Sequence, residues 1–358
     1  MNPTPNRKTP LAPLQESLGA RFVDFGGWDL PVMYASIVEE IEAVRGGCGI
    51  FDVSHMGRFF ASGEDAQTAL DWVLSRDLTT LEPGRQRYSL LLQEDGGIID
   101  DLMVARVAEQ EFLLVVNAGN RQADWGWISS HLPEHIRLVD RSDQTLMIAV
   151  QGPEAERVFQ DATGVSTEGT RFLDVMDGLF DGAPFLASRS GYTGEDGFEV
   201  VIPVEAGLEL WRRLLSKGAK PCGLGARDML RLEVAYSLYG HELNRETRPS
   251  DVGLGWTLSK RNPFIGKEAL ESYSPRHDLI GFVCIEKAIP RAECRVEASG
   301  REVGVVTSGG LTSRLPEGFG LARVEKGSVT DTLEVVIRNR RVPARKTKTP
   351  FISDRVKR

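Results

Sequence analysis

The sequence predicts an α+β fold that ends in a small antiparallel β-barrel or sandwich, and three observations predict it. Residues 86–92 alternate Tyr88, Leu90 and Leu92, and a Gly96-Gly97 turn separates them from the apolar run 98–107, the pattern of a hairpin. Helical segments are interspersed among hairpin-paired strands, which argues against a doubly wound parallel sheet. From about Asp278 the texture changes to short β-rich stretches, 279–285, 303–307 and 333–337, separated by glycine and charge.

Taken in order, residues 36–45 read as a helix, with Ser36 as N-cap, Glu39 completing a capping box and Gly46-Gly47 as the stop. Its buried stripe is expected to be Ile37, Val38, Ile41 and Val44. Strands follow at 49–54 and 58–62, then a helix at 64–74, the hairpin, a strand at 112–116 and a helix at 123–130. A second block repeats the mixture, with strands at 146–150, 185–189 and 198–202 and helices at 154–161, 204–215 and 229–236. Ser272-Tyr273-Ser274-Pro275 reads as a linker, and no tandem repeat is present.

The 358 residues exceed what one hydrophobic core serves, so two or three domains are expected. A net charge of −8 argues against non-specific nucleic-acid binding, and no apolar run approaches a membrane span. The locally basic stretch 338–348 reads as a solvated edge strand and tail. Cys48, Cys222, Cys284 and Cys294 show no C-x-x-C and suit reduced thiols. His131 and His135 have helical ligand spacing, but Pro133 breaks the helix that would align them, so no metal site is expected. The polar, proline-rich start lacks the apolar core of a secretory signal, and cytoplasmic residence is the expectation.

The chemistry-bearing residues begin with the doublet Asp100-Asp101. In a strand, Ile98, Asp100, Leu102, Val104 and Arg106 share one face, giving Asp100 a cation on its own side. Asp101 is the one polar residue on the face of Ile99, Met103, Ala105 and Val107, and an unpaired carboxylate there marks a functional site. A bulge after Gly97 would instead turn it to water as a backbone cap, and spacing leaves both readings open. Glu199 is a second carboxylate on an apolar strand, after the glycine loop 191–197. It suits either the paired N–H donors of a pterin ring or a cross-sheet salt bridge to an arginine. Arg227 stands at a helix start, where the dipole offers a cation nothing, so a ligand or an acidic partner is expected. Arg231 is expected to pair with Asp228. The glycines before Arg227 lack the Lys-Ser/Thr ending of a phosphate loop. Asp52, Ser54 and His55 are too close in sequence for a hydrolase triad, and His55 reads as a structural hydrogen-bonder.

Seven short stretches together resemble the aminomethyltransferase (T-protein) family of the glycine cleavage system. They are FDVSHMG at 51–57, GGIIDDL at 96–102, VNAG at 116–119, VQGP at 150–153, GYTGE at 191–195, GLGARD at 223–228 and FIGKEAL at 264–270. The resemblance implies a three-domain folate-binding fold, two mixed α+β domains plus a C-terminal antiparallel barrel. Its division would be 1–274, with the second α+β unit inserted at about 55–145, and 275–358 for the barrel. It implies transfer of a one-carbon unit from the aminomethyl group on lipoylated H-protein to tetrahydrofolate as co-substrate, giving 5,10-methylenetetrahydrofolate and ammonia. Asp101 matches the family's essential carboxylate, and Glu199 and Arg227 match positions that hold the pterin. Met56, Tyr88, Asn117 and Tyr192 fall where family members line the cavity. Asp101 is then expected to face that cavity while Asp100 looks toward Arg106. Departures lie at 307–315, which lacks a Ser-Pro-x-Leu element, and in a short segment between Trp256 and Phe264. Two other readings remain: a folate-dependent demethylase acting on a small amine or sulfonium donor, and a non-catalytic folate-binding maturation factor. The second is opposed by the missing Lys-Gly-Cys-Tyr-x-Gly-Gln-Glu element, in whose place stands 223–228.

Overall fold

A computed structural model describes residues 5–357; residues 1–4 and 358, part of the proline-rich start among them, lie outside the described residues. Its antiparallel five-stranded sheet runs Arg85–Leu92, Ile98–Ala108, Glu111–Val116, Gly57–Ser62, Arg137–Asp140 in spatial order. A six-stranded sheet runs Val175–Phe180, Ala183–Ser188, Gly197–Pro203, Thr145–Gln151, Gly49–Asp52, Lys220–Pro221, antiparallel except for the last pair. Residues 277–347 close into a six-stranded antiparallel barrel, and a three-stranded sheet of residues 7–33, not foreseen from the pattern, precedes everything else. The α+β class and the terminal barrel are as expected.

Each sheet buries one face locally. The helices Ala155–Thr163 and Val204–Ser216 cover one side of the six-stranded sheet around Phe159, Phe198 and Trp211. The helices Ala66–Val73 and Arg121–His131 cover one side of the five-stranded sheet around Leu70, Val104 and Leu114. The opposite sheet faces meet in a central cluster. There Ala105 and Val115 of one sheet, Met147 and Val201 of the other, Ile41, Val44 and Leu230 of two helices, and Phe319 and Leu321 of the barrel are all buried. The alternation that burial on two sides imposes on a strand is what sends Asp101 and Glu199 inward.

The structure corrects several expected elements. Ser36 Oγ does accept the Glu39 N–H at 3.2 Å, but Val38 is 56% exposed. The buried face of Ile37–Gly46 carries Glu40, Ile41, Val44 and Arg45. Apolar periodicity cannot register charges that are buried because they are paired. Glu40 accepts the N–H groups of Tyr34 (2.6 Å) and Gly223 (2.8 Å). Arg45 donates to Glu233 (2.6 and 2.9 Å), to Glu195 (2.7 Å) and to the Thr193 carbonyl (2.8 Å).

The helix expected at 229–236 is Leu224–Glu233, because Gly223 and Gly225 let it approach the strand Trp28–Met33 and the helix Ile37–Gly46 closely. A Cβ on Gly223 would stand 2.4 Å from the Val32 carbonyl carbon, and one on Gly225 2.6 Å from Ile37 Cδ1. These glycines serve packing. The basic stretch read as an edge strand is also corrected: Arg340–Thr347 pairs with both His277–Cys284 and Thr332–Ile337. A closed barrel has no edge. Val342 and Ala344 point inward while Arg340, Arg341, Pro343 and Arg345 are exposed, so the charge is the outer half of a period-2 pattern.

The Arg45 cluster ties helix, glycine loop and chain end together, since Arg355 also donates to Glu195 and to the Arg45 carbonyl (2.7 Å). Removing the buried cation leaves Glu233 without its ion-pair partner and Glu195 with Arg355 alone. Arg45→Ala is expected to lower the unfolding free energy by about 3–5 kcal/mol, read from denaturant midpoints at constant m. A loss under ~1 kcal/mol would contradict this account of the cluster.

Candidate functional site

The Gly96-Gly97 turn is built for close approach. Gly96 has φ +84°, and a Cβ on Gly97 would lie 2.0 Å from the Arg245 carbonyl oxygen. Leaving the turn, Ile98–Ala108 contains a bulge opposite Leu91–Leu92, with Ile98 facing Leu92 and Asp100 facing Leu91. Ile99 is the extra residue, so the simple alternation fails there. Ile98 packs with Leu90 and Leu92, whereas Ile99 joins the buried cluster of Leu102 and Val104. Beyond the bulge the alternation resumes, and Asp101 shares the inner face with Met103 and Ala105.

Asp100 does not meet Arg106. Same-face residues six positions apart in a strand stand ~20 Å apart, and Arg106 instead reaches Glu109 (2.7 Å), the Leu81 carbonyl (2.9 Å) and Gln67 (3.1 Å). The partners of Asp100 come from the start of helix Arg121–His131. It accepts the Asn117 backbone N–H (2.9 Å), Asn117 Nδ2 (2.9 Å) and Asn120 Nδ2 (2.6 Å). Asn117 Nδ2 also reaches Asp101 Oδ1 at 2.9 Å, and Tyr88 donates its hydroxyl to Asp101 Oδ2 at 2.9 Å. Burial first, and the neighbouring Asp100 charge second, push the Asp101 carboxyl up to about 7, against the lowering effect of the Tyr88 and Asn117 hydrogen bonds.

The second half of the site lies on the glycine loop and the helix Leu224–Glu233. The Arg227 guanidinium stacks 4.4 Å from the centre of the Tyr192 ring, whose hydroxyl donates to the Ser237 carbonyl. Among the described residues Arg227 makes no ion pair and no side-chain hydrogen bond, and burial lowers its proton affinity. Glu199 accepts the Ser190 hydroxyl at 2.8 Å, and burial raises its carboxyl above the ordinary range despite the attraction of Arg227. The cross-sheet salt bridge that was the other reading is not formed among the described residues. Tyr192 is electrostatically linked to Asp101 and Tyr88, which joins the two halves. Met56 packs against the central apolar cluster and makes no side-chain hydrogen bond to these groups among the described residues.

His55 is buried edge-on to Phe25, 5.9 Å between rings, with Nδ1 unbonded among the described residues. The structural hydrogen-bonding expected of His55 is therefore not met at this nitrogen. Burial, then Arg227 and Arg58, lower the ring to about 3, so it is neutral. Asp52 is bonded to Thr9 and Gln15, and Ser54 to the Met147 backbone, so no triad forms. Arg231 pairs with Asp228 (2.8 Å) as expected and also with Glu242 (3.0 Å). Among the described residues no group of three or more His, Cys, Asp or Glu is disposed to hold a metal. Trp256, 56% exposed and stacked 5.9 Å from Tyr88, was not singled out from the sequence, nor was the fully buried Asp124. Asn120 and Asp124, one turn apart at the helix start, were the available signal for the latter.

The arrangement offers a protonatable carboxyl, a planar cation and a second desolvated carboxyl around aromatic walls. It can move a proton and bind a flat heterocycle bearing N–H donors. The comparisons with known proteins fit that chemistry. The model of the GCVT N-terminal domain matches residues 11–262, and that of the glycine cleavage T-protein C-terminal barrel domain matches 277–353. An aminomethyltransferase of Thermus thermophilus is 43% identical over 347 residues, covering 97% of this chain and 99% of the relative. One of Halothermothrix orenii is 38% identical over 356 residues, covering 97% and 100%. The crystal structure of the glycine cleavage system aminomethyltransferase T from Bartonella henselae superposes with a TM-score of 0.92 at 32% identity, covering 98% and 99% of the two chains.

A carboxyl held up to about 7 makes a testable contribution to stability. In the unfolded chain it loses its proton near ~3.9, so between ~4 and about 7 the native state binds the extra proton. The stability it contributes is full below ~pH 4 and is lost as pH rises through about 7. Asp101→Asn, which cannot ionise, is expected to melt at least ~2 °C above the native sequence at pH 8.5 and within ~1 °C of it near pH 4, by scanning calorimetry. An equal difference at both pH values would contradict the shift.

Proposed function

The chain belongs to the aminomethyltransferase (T-protein) family of the glycine cleavage system, and on that premise we propose how its residues divide the work. It is a tetrahydrofolate-dependent one-carbon transferase that yields 5,10-methylenetetrahydrofolate and ammonia. The donor in this reading is the aminomethyl group carried on the lipoyl arm of H-protein. The proposed division of the chain is 1–274, two α+β units with the second at about 55–145, and 275–358 for the barrel. We place the protein in the cytoplasm on its free thiols; among the described residues no helix is long and apolar enough to cross a membrane.

The proton balance of the reaction sets what the protein must do. Forming the methylene bridge removes one hydrogen from each of two folate nitrogens, while the departing amine and the lipoyl sulfur each gain one. No protein nucleophile is needed. A carboxyl poised near neutrality can take a proton from nitrogen and stabilise the cationic carbon that forms as the amine leaves. Asp101 fills that role in this reading: it reaches the inner face through the strand alternation, and Tyr88 and Asn117 fix its two oxygens. The single observation that carries the reading is this carboxyl on the inner strand face, held by Tyr88 and Asn117 at 2.9 Å each, where burial raises its proton affinity.

Glu199 and Arg227 are the proposed pterin anchors. Glu199 has one hydroxyl partner and acceptor capacity left for paired N–H donors, and Arg227 has no protein anion of its own among the described residues. Met56, Tyr88, Asn117 and Tyr192 complete the proposed folate-binding set. Asp101 and Glu199 should then fail differently when altered. Asp101→Asn is expected to keep tetrahydrofolate affinity within about tenfold and lower turnover by ~10²–10⁴ in an assay reconstituted with lipoylated H-protein. Glu199→Ala is expected to weaken tetrahydrofolate binding by calorimetry by at least about tenfold. Wild-type turnover in the first, or unchanged affinity in the second, removes that residue from its role. No ammonia release with lipoylated H-protein, together with one-carbon transfer to tetrahydrofolate from a small amine or sulfonium, would favour a demethylase.

A further inference from the structure

Behind the Asp100-Asp101 doublet lies a third carboxyl that the reaction as described does not use. Asp124, in the helix Arg121–His131, has no exposed surface, and neither of its oxygens receives a hydrogen bond from a donor group among the described residues. A bare carboxylate in that position would be prohibitively costly. Its partner is the carboxylate of Asp100, with which it is in hydrogen-bonding contact. Asp100 already accepts three N–H groups, from the Asn117 backbone, Asn117 Nδ2 and Asn120 Nδ2. Two carboxylate oxygens offer about four acceptor sites, so one remains. Two carboxyl groups can share a contact only if one holds a proton. Asp100 is committed as acceptor on both oxygens, so the proton resides on Asp124.

We propose that Asp124 is a positioning residue, a standing protonated acid whose O–H completes the acceptor shell of Asp100 and thereby fixes the negative charge and the Asn117 bridge behind Asp101. The structural chain is continuous: Asp124 to Asp100, Asp100 to Asn117, and Asn117 Nδ2 to the Asp101 carboxylate (2.9 Å) and carbonyl (3.0 Å). Burial, followed by the Asp100 and Asp101 charges, raises the Asp124 carboxyl to about 11, in keeping with that state. The other groups facing the cluster are Tyr88 and Tyr192 on the Asp101 side and Tyr239 and Arg245 on the Asp100 and Asp124 side. Among these, Arg245 is the sole cation, and it opposes the upward shift of Asp124 without reversing it. The inference rests on the reading of Asp101 as the proton-handling carboxyl, but its test does not depend on activity.

Infrared difference spectra of the full chain, taken with wild type, Asp124→Asn and Asp124→Ala, decide it. Wild type is expected to keep a protonated-carboxyl stretch at pH 9 that is missing in Asp124→Asn. The amide of that variant still donates to Asp100, so the Asp101 midpoint, followed by its carboxylate stretch, is expected to stay within ~0.3 pH unit of wild type. Asp124→Ala removes the donor, and the midpoint is expected to move by about one unit. A residue serving packing alone would lower thermal stability and leave the midpoint where it is. Absence of the pH 9 band in wild type, or an unmoved midpoint in Asp124→Ala, overturns the proposal. If the alanine variant does not fold, the band comparison between wild type and Asp124→Asn still decides. Wild-type turnover in Asp101→Asn would sink the catalytic reading and leave this result standing, so the two failures are distinguishable.

Discussion

Asn117 is hydrogen-bonded to two carboxylates that a single strand sends to opposite faces. Adjacent strand residues cannot share a side, so Asp100 goes to the helix-covered side and Asp101 to the inner one. Asn117, placed where the strand Glu111–Val116 ends and the chain turns toward the helix Arg121–His131, reaches across the strand to hold both. The cost of burying Asp100 as an anion is offset by its amide donors, and that fixed anion in turn raises the proton affinity of Asp101.

Everything that positions this strand serves that arrangement. The bulge at Ile99 changes which residues face inward, and without it Asp101 and Ile98 would not share a side. The turn before it is pressed against the 245–247 segment, where Ile98 donates to the Thr247 carbonyl at 3.2 Å. The barrel closes the same space from its own end, with Ser308 accepting from Arg231 at 2.7 Å and Phe319 buried in the central cluster. Arg45 ties the far side, so the aromatic walls around Arg227 and Tyr192 rest on a rigid base.

Much of this was legible in the sequence, for physical reasons. Most helices and the longer strands show their period, and Asp101 stands out because a lone charge on an apolar face violates the pattern. The same pattern misplaced Ile98 and Ile99, since a bulge inserts one residue without a marked change in composition. It paired Asp100 with Arg106 because sharing a face was read as proximity. Arg45 and Glu233 lie 188 residues apart, and Asp124 meets Asp100 across two elements, so neither contact has a local signature. Val38 was counted as core because periodicity registers hydrophobicity and not paired charge. The strand Arg340–Thr347 was read as an edge because its outer half is basic, although its inner half is apolar. Assigning roles to Glu199 and Arg227 required the family resemblance; the strand pattern alone favoured a salt bridge for Glu199.

The central claim is that one carboxyl, Asp101, handles the protons of the transfer because burial first, and the neighbouring Asp100 charge second, keep its affinity near neutrality. Its most direct test is the pH dependence of single-turnover ammonia release from aminomethyl-loaded H-protein in the presence of saturating tetrahydrofolate. Wild type should show a limb with a midpoint near ~7, and the residual rate of Asp101→Asn should lack it. A limb of the same midpoint in Asp101→Asn would assign the proton handling to another group and contradict the account.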